Sequence, residues 1–340
     1  MNGTESSKIG IIGNGSWGTA IAKILTDNGL TIHWWIRNNE AVQHLLRRNH
    51  NPHYLTSVKF NAGSVLPTSD LVQLLNDCDI VIVAVPSAYV QSVIAAVPVA
   101  LWEGKTVVSA IKGVLPESNL LLNDYLNKVC NFPIENYLAI TGPCHAEEVA
   151  EERLSYLTFS GLNDDLTASV AKLFNNSYIN TATNHDIWGV QFAAVLKNIY
   201  AIGSGIARAL DYGDNFLSVY ITNCYREMYH FLSGHFDAFN PSDKKPDFHI
   251  SAYLGDLLVT CYSLHSRNRT FGSMIGKGYT VKAAILEMNM VAEGYYGARG
   301  MFHISNKYAL EIPIANTIYR IMWEGYPAAQ AFVEMEKMLS

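Results

Sequence analysis

The sequence lacks several features that mark secreted, membrane-spanning or nucleic-acid-binding proteins. Its five cysteines in 340 residues form no C-x-x-C pair and are odd in number, which is typical of core cysteines in a reducing cytosol. The first seven residues contain no signal-peptide core, and no apolar run reaches the ~18 residues that span a bilayer. The formal net charge of −6 argues against a nucleic-acid platform. We therefore expect a cytoplasmic protein with no integral membrane segment and no nucleic-acid partner.

Metal-ligand motifs are missing as well. The chain has no H-E-x-x-H, and no Cys/His cluster has the spacing of a ligand set. Cys144 with His145, and Cys261 with His265, are interpreted as packing and surface residues. The sequence therefore predicts chemistry without a metal. With 49% hydrophobic and 16% charged residues, the chain has the composition of a globular protein of two domains.

A glycine-rich stretch near the start is the most informative part of the chain. Residues 8–20 predict an apolar strand, a turn with Gly13, Gly15 and Gly18, and a helix from Ser16 or Trp17. In a dinucleotide site the first glycine permits the sharp turn, the second lets the backbone approach the pyrophosphate, and the third allows close helix packing. The helix N-terminus offers unpaired N–H groups to the phosphates. The alternative is a tight turn without a ligand.

The end of the second predicted strand bears on the choice of cofactor. Dinucleotide folds usually place an acid there to hold the ribose hydroxyls, but this chain reads Arg37-Asn38-Asn39, with no acid before Glu40. An arginine at this position can pair with a 2′-phosphate or stack on adenine, so the sequence permits NAD or NADP. The alternative is a solvated surface arginine.

Strands and helices alternate through the first half. Apolar strands are predicted at 79–86, 106–113 and 137–143, and one more strand-and-helix unit at 156–183. The second of these strands would deliver Lys112 to the carboxyl edge of the sheet, where ligands bind; a lysine that reaches into solvent is the alternative. Residues 1–187 are predicted to form a dinucleotide-binding domain with a doubly wound, Rossmann-type, mostly parallel sheet.

The second half shows only helical patterns, which predicts an all-helical substrate and catalytic domain at 188–340. Residues 188–202 are apolar on most faces and predict a buried central helix. Glycines at 203–205 and residues 212–215 are interpreted as bends around it, and residues 234–249 as a surface excursion. Asp256 precedes an apolar run, with Thr260 one helical turn later on the same face.

Lys197 interrupts the predicted central helix. Burial would lower its pKa, and Lys112 nearby would act in the same direction. A neutral amine can accept a proton from an alcohol, so Lys197 is a candidate general base with Asp256 as its partner. A lysine paired to a carboxylate solely to join two helices is the alternative.

A cluster of donors follows at 266–269. Ser266, Arg267, Asn268 and Arg269 supply hydroxyl, guanidinium and amide groups suited to a phosphate. A solvated basic loop would have a similar composition, so both interpretations stand on these residues alone.

Together these motifs resemble the NAD(P)-dependent glycerol-3-phosphate dehydrogenases over residues 9 to about 304. The resemblance is carried by the order and spacing of eight segments: Gly13–Ala20, Ile111–Gly113, Gly142–Val149, Leu196–Asn198, Gly213–Asn215, Gly255–Cys261, Ser266–Arg269 and Val291–Gly294.

The resemblance implies an oxidoreductase that transfers a hydride between NAD(P)(H) and sn-glycerol 3-phosphate or dihydroxyacetone phosphate, supplies glycerol 3-phosphate for glycerophospholipid synthesis, and is a homodimer. It makes Lys197 the proton acceptor, with Lys112 and Asp256 as further catalytic residues. The implied cofactor contacts are Gly13, Gly15, Ser16, Trp17, Gly18, Arg37, Lys112, Ala146, Arg267 and Glu293. The implied substrate contacts are Lys112, Gly142, Cys144, Lys197, Asn198, Asp256, Thr260, Ser266, Arg267 and Asn268.

Two segments depart from the family pattern. Cys144 stands where the family usually has Ser or Thr, and a thiol is a weaker hydrogen-bond donor. The approach to Asp256, residues 249–255, is bulkier than the glycine-rich stretch of the family. Two other functions remain as alternatives: a related hydroxy-acid dehydrogenase, which would not need the donors at 266–269, and a non-catalytic nicotinamide sensor, which would not need Lys197 and Asp256.

Overall fold

The computed structural model describes residues 7–239, 247–248, 250–288 and 292–340. The chain forms two compact units, the first made of Met1–Val85, Tyr89–Ile111 and Leu122–Ile187, and the second of Pro86–Ala88, Lys112–Leu121 and Trp188–Ser340. The functional division at 187/188 stays a prediction.

The first unit is built on one eight-stranded sheet. Its order is β3-β2-β1-β4-β5-β6-β7-β8, and every neighbouring pair is parallel except β6 with β7. The predicted mostly parallel, doubly wound sheet is therefore confirmed. The strands are β1 Ile9–Ile12, β2 Ile32–Trp35, β3 Val65–Thr68, β4 Ile80–Val83, β5 Thr106–Ser109, β6 Tyr137–Thr141, β7 Ser155–Gly161 and β8 Ile179–Asn184.

In the described chain the helices between these strands are α1 Ser16–Asp27, α2 Asn39–Arg48, α3 Leu71–Asp77, α4 Ser87–Ala95, α5 Leu122–Cys130, α6 Ala146–Ala150 and α7 Asp164–Phe174. The first two residues of α4 belong to the second unit. The strand order reverses between β1 and β4, and in open α/β sheets ligands bind outside the carboxyl ends of the strands at this point. Residues 9–12 of β1 and 80–83 of β4 are all buried, as strands covered on both faces require.

The second unit is helical, as predicted. Its described helices include α8 Ile187–Ala209, α9 Asp214–Phe239, α10 Asp256–Tyr262, α11 Arg267–Gly276, α12 Val281–Glu287, α13 Glu293–Tyr308, α14 Pro313–Trp323 and α15 Ala328–Glu336. The first residue of α8, Ile187, belongs to the first unit. A π-helical turn, Ser251–Gly255, leads into α10. Among the described residues one helix, α8, is long and apolar enough to cross a membrane, and its apolar window is wholly buried.

One prediction about the second half was wrong, and another began too early in the chain. The glycines at 203–205 do not bend the chain, because α8 runs through them to Ala209. A Cβ at Gly203 would overlap the Tyr220 hydroxyl of α9, and one at Gly205 would overlap the Arg269 carbonyl of α11, so these glycines permit close helix packing. The predicted excursion at 234–249 begins inside α9, which ends at Phe239; residues 240–246 and 249 lie outside the described chain.

A buried carboxylate joins three helices of this unit. Glu227 of α9 accepts hydrogen bonds from the backbone N–H groups of Ile314 (2.6 Å) and Ala315 (3.0 Å), at the N-terminus of α14, and from the Tyr200 hydroxyl of α8 (3.0 Å). Burial raises the pKa of Glu227 to about 7, while the three donors act in the opposite direction.

Replacing Glu227 with alanine is expected to lower the free energy of unfolding by about 3 kcal/mol, because three buried donors lose their acceptor. Urea unfolding followed by circular dichroism measures the effect. Glu311→Ala, at an exposed position, serves as the control and should change the value by about 0.5 kcal/mol or less. Equal losses in the two variants would show that the Glu227 hydrogen bonds contribute nothing.

Candidate active site

The glycine loop connects β1 to α1 in the predicted way. Gly13 has a φ of +109°, which favours glycine, and a Cβ on Gly18 would overlap the Gly13 carbonyl oxygen. Gly15 differs from both, since a Cβ there would meet no described atom within 4 Å. Gly13 and Gly18 therefore shape the loop, whereas Gly15 borders open space.

The N-terminus of α1 fits a dinucleotide pyrophosphate. Within the described chain no side chain caps this helix and its first turn carries no acid. Its first N–H groups and their partial positive charge are thus suited to an anion. Thr19 supports the loop, because its hydroxyl donates to the Gly15 carbonyl at 2.9 Å. Ser16 is buried and Trp17 half-buried in the same turn.

A cavity of about 510 Å³ lies at the carboxyl end of β2. Trp35, Arg37, Asp70 and Tyr89 are among its lining residues, all from the first unit. The Trp35 indole N–H donates to the Ser69 carbonyl at 3.1 Å, and Asp70 caps α3 by accepting from the Gln73 N–H at 3.1 Å. Aromatic walls beside an exposed arginine suit the adenosine end of a dinucleotide.

The turn after β6 holds three further predicted residues. Gly142 has a φ of +120°, and a Cβ there would lie 2.6 Å from the Tyr156 carbonyl oxygen. Cys144 and Ala146 are buried, and Ala146 is the first residue of α6. The five cysteines are all free and buried.

Lys197 and Asp256 form an ion pair inside the second unit. Lys197 lies on α8 and Asp256 begins α10, and the two side chains are 4% and 2% exposed. Thr260 lies one turn after Asp256 and its hydroxyl donates to the Asp256 carbonyl at 2.6 Å. The prediction that Asp256 and Thr260 lie on the same face of the helix is confirmed. The ion pair of Lys197 with Asp256 also joins α8 to α10, as the alternative interpretation of Lys197 requires.

Burial lowers the pKa of Lys197 to about 8. The negative charge of Asp256 opposes this shift, and the positive charge of Lys112 adds to it. A lysine with a pKa near 8 is partly neutral at physiological pH and can exchange a proton with an alcohol. The predicted direction of the shift, and the contribution of Lys112, are both confirmed.

Side-chain amides connect the neighbouring residues. Asn198 donates through Nδ2 to the Lys112 carbonyl (3.2 Å), and Asn268 donates through Nδ2 to Asn198 Oδ1 (2.9 Å). Asn268 Oδ1 in turn accepts from the Gly294 N–H at 2.9 Å. This network fixes the orientation of both amides and holds the loop of Lys112 against α8.

The donor cluster at 266–269 is the start of a helix. Ser266 caps α11 by accepting from the Arg269 N–H at 3.3 Å, and Arg269 donates through Nη1 to the Tyr262 carbonyl at 2.9 Å. Ser266 and Asn268 are buried and Arg267 is half-buried. The alternative of a solvated basic loop is therefore wrong, and the cluster combines a helix N-terminus with a guanidinium group.

Glu293 has partners that the sequence did not reveal. Ser87 donates to its carboxylate through both its backbone N–H (3.1 Å) and its hydroxyl. Burial raises the pKa of Glu293, while the bonds from Ser87 and the charge of Arg267 lower it. A Cβ on Gly113 would lie 2.5 Å from the Ser87 hydroxyl and 2.8 Å from Glu293, so this corner is tightly packed.

Two family models match consecutive parts of the chain. The model for the N-terminus of NAD-dependent glycerol-3-phosphate dehydrogenase matches residues 8–167, and the model for its C-terminus matches residues 186–333. The chain belongs to this dehydrogenase family. A glycerol-3-phosphate dehydrogenase [NAD(P)+] of Bacillus pumilus is 34% identical over 322 residues, covering 94% of this chain and 90% of the relative. One from Staphylococcus haemolyticus is 31% identical, covering 97% of each.

The fold agrees with a solved member of the family. The crystal structure of glycerol-3-phosphate dehydrogenase from Coxiella burnetii aligns with a TM-score of 0.88 at 26% identity, covering 97% of this chain and 98% of that one.

In this member of the glycerol-3-phosphate dehydrogenase family the predicted site residues fall into two groups. The first unit contains Gly13, Gly15, Ser16, Trp17, Gly18, Arg37, Gly142, Cys144 and Ala146. The second unit contains Lys112, Lys197, Asn198, Asp256, Thr260, Ser266, Arg267, Asn268 and Glu293. Direct hydrogen bonds within the second group link Lys197 to Asp256, Asn198 to the Lys112 carbonyl, and Asn268 to Asn198.

The predicted strand at 106–113 of this dehydrogenase was too long. β5 ends at Ser109, so Lys112 lies in the following loop, with its carbonyl held by Asn198. Ser87 and Gly294 were missed as residues that position Glu293 and Asn268. Ser87 directly follows an apolar strand and its proline, but no local pattern pairs Ser87 with Glu293 or Gly294 with Asn268.

Proposed function

We propose that this protein catalyses reversible hydride transfer between NAD(P)(H) and sn-glycerol 3-phosphate or dihydroxyacetone phosphate, and that it supplies glycerol 3-phosphate for glycerophospholipid synthesis. The observation that carries the proposal is the buried Lys197–Asp256 pair, in which the pKa of the lysine is lowered to about 8. Family membership and the near-complete coverage of the relatives support the substrate and the cofactor.

Lys197 is the proposed general base. In the oxidation its neutral amine accepts the proton of the C2 hydroxyl, and Asp256 stabilises the ammonium that forms. Thr260 holds the Asp256 carbonyl and so fixes the first turn of α10. Lys112 is proposed to polarise the reacting oxygen, since its charge already acts on Lys197. In the reduction Lys197 returns the proton to the carbonyl oxygen.

The N-terminus of α11 is the proposed phosphate site. Arg267 supplies a guanidinium group for charge-assisted hydrogen bonds, and the N-terminus of the helix supplies its partial positive charge. The Ser266 hydroxyl and the Asn268 amide are further hydrogen-bond donors of the same segment. Binding energy from the phosphate would orient the reacting carbon. Gly142, Cys144 and Asn198 complete the substrate contacts that the resemblance implies.

The glycine loop is the proposed pyrophosphate site, and the cavity at Arg37 the proposed adenosine site. Gly13, Gly15 and Gly18 form the loop, and Arg37 can pair with a 2′-phosphate, which supports the use of both NAD and NADP. When bound, the nicotinamide accepts or delivers the hydride. The other proposed cofactor contacts are Ser16, Trp17, Lys112, Ala146, Arg267 and Glu293.

We further propose two functional domains, residues 1–187 for the cofactor and 188–340 for the substrate, in a cytoplasmic homodimer. Five free, buried cysteines suit a reducing compartment. Size-exclusion chromatography coupled to light scattering tests the dimer, because the measured molar mass should be twice that of one chain.

Steady-state reduction of dihydroxyacetone phosphate with NADH and with NADPH tests the proposed function. The phosphate ester should be turned over, whereas dihydroxyacetone and a 2-keto acid should react at least about 100-fold more slowly, because neither has the phosphate that orients the carbonyl. Turnover of the keto acid without turnover of the phosphate ester would favour the hydroxy-acid dehydrogenase. Cofactor binding without any turnover would favour the sensor.

The pH dependence of the oxidation should report Lys197. Its kcat/KM is expected to rise about tenfold per pH unit below pH 8 and to level off above, because only the neutral amine accepts a proton. The substrate phosphate has its own pKa near 6 and produces a separate inflection. Reduction should show the opposite dependence and decline above pH 8. An oxidation profile that is flat from pH 7 to 9.5 would contradict the role of Lys197.

A further inference from the structure

Two histidines outside the proposed active site approach each other in the first unit. His44 lies in α2, and Asn49, with a left-handed φ of 56°, turns the chain so that His50 lies back against the helix. The two Nε2 atoms are 3.3 Å apart, and the rings are nearly perpendicular, with an interplanar angle of 85°. Both side chains are half-buried, which limits the number of rotamers they adopt.

The second nitrogen of His50 is already engaged. Its Nδ1 lies 3.1 Å from the Asn51 carbonyl oxygen, which can only accept, so the ring proton is assigned to Nδ1. The Nε2 lone pair of His50 therefore faces His44. Metal-binding histidines typically show this arrangement, in which a backbone carbonyl fixes the tautomer and raises the basicity of the ligating nitrogen.

The distance between the nitrogens suits one metal ion. Two imidazole ligands on a tetrahedral zinc ion, each about 2.0–2.1 Å from the metal, have nitrogens about 3.3–3.4 Å apart.

We propose that His44 and His50 form a binding site for a divalent transition-metal ion, with water completing the coordination. Imidazole ligands suit Cu²⁺, Ni²⁺ and Zn²⁺, and Cu²⁺ should bind most tightly of the three. Neither histidine takes part in the proposed hydride transfer. An ordinary N–H···N hydrogen bond between the two rings, without metal binding, is the competing result of the test.

Asn51 connects this site to the glycine loop. Its side chain, buried within the first unit, donates to the Asn14 carbonyl at 2.9 Å and to the Thr19 hydroxyl at 2.8 Å. Because His50 holds the Asn51 carbonyl, a metal ion that fixes His50 also fixes the segment that supports Asn14. Metal and dinucleotide should therefore strengthen each other's binding by the same factor. This coupling rests on the proposed role of the glycine loop.

Isothermal titration of the untagged protein with Zn²⁺, without dinucleotide, tests the site. One ion is expected to bind per chain, and His44→Gln and His50→Gln should each weaken binding at least about tenfold. His53→Gln, an exposed neighbour outside the pair, is the matched control and should leave the affinity unchanged. Failure to bind Zn²⁺, or equal affinity in all three variants, would overturn the proposal.

Titration with NADPH in the presence and absence of saturating Zn²⁺ tests the coupling. The dissociation constant of NADPH should fall about fivefold with zinc, and this change should disappear in His50→Gln. An unchanged constant in the wild type would overturn the coupling, whereas absence of NADPH binding under both conditions would instead contradict the proposed function. The zinc titration tests the metal site independently of the proposed function, because it contains no dinucleotide.

Discussion

Replacing Lys197 with alanine is expected to lower kcat for glycerol 3-phosphate oxidation by about 10³-fold or more. A positioned general base typically contributes about 10²- to 10⁴-fold to the rate. The amine is removed from a buried helix, and its described partner Asp256 cannot replace it, because a carboxylate is a much weaker base than an amine. Affinity for the dinucleotide should stay within about twofold of the wild type, since Lys197 is not among the proposed cofactor contacts.

Two further variants separate catalysis from folding. Lys197→Ala leaves Asp256 as a buried charge without its ammonium partner, which can cost about 3–5 kcal/mol in stability. Lys197→Met combined with Asp256→Asn removes both charges and should fold, yet be equally inactive. Added methylamine should restore part of kcat in Lys197→Ala. Lys172→Ala, an exposed lysine of α7, is the control for a general charge effect. Wild-type turnover in Lys197→Ala would refute the base assignment.

Replacing Gly15 with alanine is expected to weaken NAD(P)H binding about 100-fold, a loss of about 2.7 kcal/mol. The backbone of Gly15 has φ −68° and ψ −178°, which alanine adopts readily, and its Cβ would meet no described atom within 4 Å. The added methyl group would instead occupy the space proposed for the pyrophosphate. Binding can be followed by nicotinamide fluorescence.

The other glycines supply the controls for this prediction. Gly15→Ala should change the free energy of unfolding by about 1 kcal/mol or less, the usual effect at a helix N-cap. Gly213→Ala, in an exposed turn with the same open surroundings, should change neither folding nor binding. Gly18→Ala should destabilise the protein itself, because its Cβ would overlap the Gly13 carbonyl oxygen. Undiminished binding by Gly15→Ala would mean that the pyrophosphate lies elsewhere.

The sequence predicted the elements whose local pattern is strong. β1, the three glycines and α1 were found because an apolar strand that leads through this glycine spacing into a helix pattern is typical of a dinucleotide site. β4 was found because a strand covered on both faces is continuously apolar. β3 and β8 were not singled out, because edge strands lack that pattern: Pro67 interrupts β3, and the partly exposed β8 is mostly polar.

Packing between distant residues could not be predicted. Lys197 stood out because a charge inside an apolar helix is unusual, and Asp256 because it precedes an apolar run. The bonds that link Asn198 to Asn268 join residues 70 positions apart, and those from Ser87 to Glu293 join residues 206 positions apart. Neither spacing has a local signature. Gly203 and Gly205 show the converse error, since a glycine that permits close helix packing has the same local appearance as one that bends the chain.

Direct transfer of a labelled hydride tests the central claim. The protein is incubated with NAD(P)+ and sn-glycerol 3-phosphate that carries deuterium at C2, and the reduced cofactor is analysed by NMR. We predict deuterium at C4 of the nicotinamide together with dihydroxyacetone phosphate, and formation of both products about 10³-fold or more slower in Lys197→Ala. Reduced cofactor that carries only protium at C4, or no reduced cofactor with either NAD+ or NADP+, would contradict the account.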